Sequence, residues 1–343
     1  MPILGIMASA GRTVTSVIAF GSQDGDKIYV YPWSAGFGAR YSNPATLPTG
    51  EVNGVAFNSA KNIIATAHNT TPFVSVYPWA NSTGFGTKYS DPATLPAGTG
   101  NYVEFNPAGT SIAIAHTTTP FITAYPWNNS TGFGTKYADP GTLPTGNAQS
   151  VTFNPAGDVI AVGHASTPFI STYPWNSSTG FGTKYANPAT AVGSTGFSVT
   201  FNPAGDTIAI ASFNTPYIQV YPWSAGFGTK YSNPATLPAG TGVAVAFNPA
   251  GNTIMVGSNT SPYILAYPWS AGFGTKYADP ATLPGSTGNG IAFNPSGDTV
   301  AVSNATTNLG VVYPWSNSTG FGTKYADPTV SPSVFTGNDV AFI

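Results

Sequence analysis

Three histidines, a few isolated carboxylates and a dense set of aromatic rings are the side chains of this 343-residue chain with a claim to chemistry. His68, His116 and His164 recur at intervals of 48 residues. Three imidazoles can hold a metal, but equivalent points on neighbouring repeats of a sheet protein stand well apart. Other repeats hold Ser212, Ser258 and Asn304 at that place, so the pattern reads as a polar strand end. Asp24-Gly25-Asp26 has the opening of a Ca²⁺ loop without the remaining ligands, and reads as a turn. The two glutamates, Glu51 and Glu104, do not recur. No nucleophile motif, phosphate loop or acid/base pair is visible. The expectation is therefore a protein with no catalytic residue, no metal and no cofactor. Cysteine is absent, which excludes disulfides and thiolate metal sites.

What recurs is a construction unit. Tyr-Pro-Trp, a short polar turn and Gly-Phe-Gly-Thr-Lys-Tyr appear first at Tyr31 and return at Tyr77, Tyr125, Tyr173, Tyr221, Tyr267 and Tyr313. Every tryptophan lies in one of these copies. In the fourth unit, Val151-Thr152-Phe153 alternates, Asn154-Pro155-Ala156-Gly157-Asp158 turns, and Val159–Gly163 is a second strand. Phe169–Tyr173 is a third strand, which Pro174 is expected to end. Phe181–Tyr185 is a shorter fourth strand. Twenty residues separate the first-strand Phe from the Tyr of Tyr-Pro-Trp in each of the six internal units, Phe57 to Tyr77 through Phe293 to Tyr313. Only the turn after Trp varies, short (Ser-Ala-Gly) in units one, five and six and longer in the others, which marks it as surface.

Four short strands in each of seven units predict an all-β chain, a seven-bladed β-propeller with four antiparallel strands per blade. The blades are expected at about 1–50, 51–98, 99–146, 147–194, 195–240, 241–286 and 287–336, with 337–343 a terminal strand of inner type. The repeated rings are assigned to packing between blades, because a blade cannot bury its faces alone. Val-Ala-Phe-Asn-Pro-Ala-Gly-Asp-Thr-Ile-Ala followed by Tyr-Pro-Trp resembles WD-repeat and related bacterial propeller blades over nearly the whole chain. Trp-Asp is replaced by Trp-Ser, Trp-Asn or Trp-Ala, so that family's polar network and scaffold role are not implied. In texture the repeats are similar to those of tailed-phage and environmental viral propellers.

Seven of ten basic residues form one set, Arg40, Lys88, Lys136, Lys184, Lys230, Lys276 and Lys324. On outermost strands they would ring the rim and discourage sheet-to-sheet aggregation. The ends break the pattern. Gly5–Thr13 and Asp339–Ile343 both read as inner strands, one too many for seven blades. One reading closes the ring with the C-terminal strand. The other leaves a spare strand for a neighbouring subunit. Ile3, Leu4, Ile6, Met7, Val340, Ala341, Phe342 and Ile343 are the closure or assembly candidates.

Charged residues make up only 6% of the chain and net charge is −2, so no nucleic-acid partner is expected. No stretch is long enough to span a membrane and no signal peptide is recognisable. The expectation is a non-enzymatic structural protein of a virion or the extracellular space. It would self-associate as a homo-oligomer or polymer, with other virion or cell-surface components or glycans as further partners. A glycan-binding adhesin with repeated weak sites is the alternative.

Overall fold

The computed structural model describes residues 16–305, 309–329 and 336–343. Seven antiparallel sheets form a β-propeller. Each inner strand packs beside the next, and the last, Gly337–Phe342, packs beside Val52–Phe57. Blade four shows the local logic. Its strands are Ala148–Phe153, Val159–His164, Ile170–Asn176 and Gly180–Phe181. Asn154 builds the first turn, its Oδ1 accepting from the N–H groups of Asp158 and Val159 at 3.0 Å each. The second strand is buried along its whole length, which explains why it reads as an apolar run rather than an alternation.

The third strand runs two residues past the expected stop at Pro174. The Pro174 carbonyl accepts from Gly182 N–H at 2.8 Å, so the missing proline donor faces the outer strand. That ladder is only two residues long, and little is lost there. The fourth strand is correspondingly shorter than its sequence suggests. In blades one, five and six it shrinks to single bridges, Trp33 to Phe37, Trp223 to Phe227 and Trp269 to Phe273. The Gly-Thr-Lys-Tyr segment stays beside the third strand through isolated bonds such as Tyr185 N–H to Thr172 O at 2.9 Å.

Aromatic boxes join the blades. Trp175 is 4% exposed. It meets Phe181 and Phe153 of its own blade edge-on at 5.0 and 5.4 Å, and Tyr137 of the preceding blade at 5.1 Å. Each such pair contributes about 0.5–1.5 kcal/mol beyond its buried area. The buried Tyr173 hydroxyl donates to Thr142 O of the connector at 2.8 Å.

The same box closes the ring. Trp33 meets Phe37 at 5.0 Å, Tyr325 of blade seven at 5.0 Å and Phe342 at 5.6 Å. Gly337–Phe342 pairs with Ser16–Ser22, and Ile343 and Val17 exchange backbone bonds of 3.0 and 2.9 Å. The C-terminal strand is therefore the inner strand of blade one and is used within its own ring. This corrects the reading in which Val340, Ala341, Phe342 and Ile343 are spare for a neighbour. Ile3, Leu4, Ile6 and Met7 lie outside the described residues.

The two turn lengths also have a cause. A long turn touches the Asn-led first turn of the preceding blade: Asn129 reaches Asn62 (3.3 Å), Ser177 reaches Asn106 and Thr110 (3.1 and 3.3 Å), and Asn317 reaches Asn248 and Thr253 (3.1 and 3.0 Å). At these three seams the fourth residue after the turn Asn is neutral: Asn62, Thr110 or Asn252. Where the next blade has a short turn, that residue is Asp158, Asp206 or Asp298. A long turn would crowd a carboxylate with polar groups and strip its water, so charge and turn length are matched seam by seam.

Two outcomes follow. Phe342 is half-buried in its box, and Phe342→Ala will destabilise the protein by about 2–4 kcal/mol in denaturant unfolding; a loss under about 1 kcal/mol would mean that the strand does not close the ring. Lengthening the Ser224-Ala225-Gly226 turn to the five-residue form will destabilise the wild type. In an Asp158→Asn background it will do so less, by on the order of 1 kcal/mol in a double-mutant cycle.

Candidate functional site

The inner strands leave one edge unpaired, and their free backbone groups face the central channel. Side chains from the preceding blade cap them, always in the same rotational sense. Asn53 Nδ2 donates to Gly100 O (3.0 Å), Asn101 to Ala148 O (2.7 Å), Asn289 to Gly337 O (2.8 Å) and Asn338 to Val52 O (3.0 Å). One residue further along, Ser198 Oγ accepts from Val245 N–H at 3.3 Å and Asp339 Oδ2 accepts from Val55 N–H at 2.9 Å. Two residues beyond that level, Glu104 Oε1 accepts from the Thr152 hydroxyl at 3.2 Å and Phe153 N–H at 3.4 Å.

This lacing draws two acids into a confined space. Asp339 is 6% exposed. Its Oδ1 lies over Gly290, where a β-carbon would stand 2.7 Å away. Gly54 permits a second close approach, since a β-carbon there would meet Tyr102 Cα at 2.9 Å. Tyr102 interacts electrostatically with both acids. The Asp339 charge, then burial, then Glu104 hold its phenol well above the ordinary range. Burial pushes Glu104 up to about 8, against the opposing bonds from Phe153 and Thr152 and with help from the Asp339 charge. Burial pushes Asp339 up to about 7, opposed by the N–H groups of Val55 and Val340.

Above Asp339 and Tyr102 the channel opens into a cavity of about 430 Å³. Amides supply most of its mouth, through Asn53, Asn101, Gln149, Asn289 and Asn338. Ser150, 3% exposed, lines the wall with a hydroxyl that has no partner among the described residues. Phe197 and Val243 make one sector apolar. Among the described residues, no lysine or arginine lines it. A deeper space of about 340 Å³ continues past Glu104, Thr152 and Thr200. The site thus offers a carboxylate poised near neutrality, a protonated acid, a protonated phenol and a girdle of amides.

The residues singled out from the sequence lie elsewhere. His68, His116 and His164 are fully buried in separate blades, bonded through Nε2 to Ser75, Thr123 and Ser171 at 3.1, 2.9 and 3.0 Å. Burial lowers each to about 4, so they are neutral. Asp26 pairs with Arg40 at 2.8 Å. The rim bases are bound locally. Lys88, Lys136, Lys276 and Lys324 pair with the aspartate three residues on, their own side chains 14–19% exposed. Lys184 and Lys230 reach Asn187 and Asn233. Tyr102, Glu104 and Asp339 were missed as a group. Their signal was present in the alignment of the repeats, because acids or a phenol stand where other inner strands have Gly, Ala, Ser or Thr.

No family model and no curated protein matches the chain. Solved structures do. A candidate 6-phosphogluconolactonase from Bacteroides fragilis is 13% identical with a TM-score of 0.72, covering 96% of this chain and 98% of its own. The periplasmic gluconolactonase of Pseudomonas aeruginosa is 15% identical with a TM-score of 0.72, covering 96% and 99%. The Swd1 propeller of Myceliophteria thermophila is 12% identical with a TM-score of 0.58, covering 83% and 90%. At these identities the likeness establishes the propeller fold. Nothing in these structures points to phage propellers.

The expectation of a non-enzymatic virion or assembly protein is therefore corrected, together with its adhesin alternative. Two of the similar propellers carry lactonase names, the C-terminal strand takes the closure reading and is spent within its own ring, and the channel holds acid groups that the sequence pattern did not pair.

The raised carboxyls make stability depend on pH. The folded state holds protons that the unfolded chain has released, so their stabilising contribution is present below about pH 4 and is lost as pH rises through about 7–8. Asp339→Asn and Glu104→Gln will each be more stable than wild type at pH 8.5, by on the order of 1–3 kcal/mol. That advantage will vanish near pH 4. Urea unfolding at the two pH values checks this, and a pH-independent difference would refute the protonation assignment.

Proposed function

We propose that the channel mouth is a hydrolytic site for a small uncharged lactone of the sugar-acid class. The observation that carries this reading is Asp339, a carboxyl raised to about 7 at the floor of a cavity ringed by amides. A general base works best when its pKa lies near the working pH. The names of the similar propellers, gluconolactonase and candidate 6-phosphogluconolactonase, agree in reaction type. The lining disfavours a phosphorylated substrate, since the described residues of the wall include no Lys or Arg to bind the dianion.

In this mechanism, the amides hold the ring hydroxyls and the Asp339 carboxylate takes a proton from water. The resulting hydroxide adds to the lactone carbonyl carbon. The Tyr102 phenol, kept protonated, is placed on the same floor to donate to the developing oxyanion. Collapse of the tetrahedral intermediate breaks the ring C–O bond. The departing alkoxide takes the proton back from Asp339, giving a hydroxy acid. Protonated Glu104 spares Asp339 a second negative charge in the channel.

Acid release from glucono-δ-lactone, followed in a pH-stat against the spontaneous rate, tests the reading. The wild type will accelerate hydrolysis, and Asp339→Asn will lower kcat by about 10²-fold or more while keeping its fold. A folded wild type with no acceleration between pH 6 and 8 overturns it.

A further inference from the structure

The amide girdle fails in one sector, and it fails twice. Where other inner strands carry Asn or Gln, blade five has Phe197 and blade six has Val243. A phenyl group cannot make the bond to the next blade's carbonyl that Asn53, Asn101, Asn289 and Asn338 make, so the fold forgoes a hydrogen bond there. Beside it, Phe213 is 52% exposed. Its counterparts in the other blades are the polar or small Gln23, Asn69, Thr117, Ala165, Asn259 and Ala305. The Phe213 ring stands 6.3 Å from the Phe197 ring, tilted by 48°. Phe197 lines the cavity and Phe213 continues the apolar surface outward from it. Neither ring belongs to the Trp boxes that hold the blades together.

We propose that Phe197 and Phe213 form a subsite for an apolar arm carried by the substrate. The ligand class is a lactone whose ring sits among the amides and whose alkyl or aryl substituent leaves the cavity across these two rings. Stacking on Phe197 uses a surface that otherwise faces water, and Phe213 accepts the far end of the arm. The 6.3 Å between the two ring centroids lets one aromatic ring of the substrate touch both. Burying such a group against two phenyl faces gives selectivity for it without a charge.

The inference rests on the channel mouth being the substrate site, and non-hydrolysable lactams separate it from the claim of hydrolysis. Binding of δ-valerolactam and of 6-phenyl-δ-valerolactam to the wild-type protein is measured by calorimetry or NMR titration. Hydrolysis of the two corresponding lactones is followed in parallel. The phenyl lactam is expected to bind at least about tenfold more tightly. Phe213→Ala, at an exposed position, and Phe197→Ala will each reduce that ratio to about twofold. Equal affinity for the two lactams, binding of neither, or a ratio unmoved in both variants overturns the subsite. If the lactams bind as expected while neither lactone is hydrolysed faster than in buffer, the arm subsite stands and the hydrolytic reading falls. If both lactones are hydrolysed alike with equal lactam affinities, hydrolysis stands and the subsite falls.

Discussion

An unpaired strand edge faces the axis in every blade, and the molecule depends on how that edge is satisfied. Buried backbone donors and acceptors without partners cost about 1–3 kcal/mol each. Here several of them are bonded by side chains that lean from one blade to the next, by Asn in four blades at the mouth, by Ser198 and Asp339 one residue deeper, and by Glu104 further in. The aromatic boxes fix the blades at a spacing where these short side chains can reach. The lace in turn places polar groups along the channel. Any departure from the repeat at an inner-strand position therefore changes the channel's chemistry directly.

This explains how a chain of near-identical units acquires an asymmetric site. Symmetry governs the boxes, the Asn-Pro turns and the tyrosine bonds to the connectors, and there the repeat hardly varies. Along the channel a single substitution stands alone. Asp339 replaces a small residue in the strand that closes the ring, Tyr102 leans in beside it over Gly54, and Glu104 sits at the next level down. Burial does the rest, keeping one acid protonated and bringing the other close to neutrality.

Much of the fold was legible in the amino-acid sequence, because Tyr-Pro-Trp returns every 46 or 48 residues and the Phe-to-Tyr spacing does not drift. The strand count and the packing role of Trp followed from that. Strand ends were less legible. Pro174 reads as a stop, yet its missing donor points to a strand too short to need it. The site was hidden for a different reason. Glu104 and Asp339 lie far apart in the chain and match no motif, and only ring closure brings their strands to a common axis. Counting residues that recur draws attention to the histidines and the lysines. Those prove to be a buried strand-end bond and a local clasp on the outer segment.

The central claim is that the propeller axis holds a carboxyl tuned to neutral pH by burial. A ¹³C-carboxyl NMR titration of the wild-type protein, with Asp339 assigned by its absence in Asp339→Asn, measures this directly. The account predicts a midpoint near 7 for Asp339. A midpoint in the ordinary aspartate range of about 4 would contradict it.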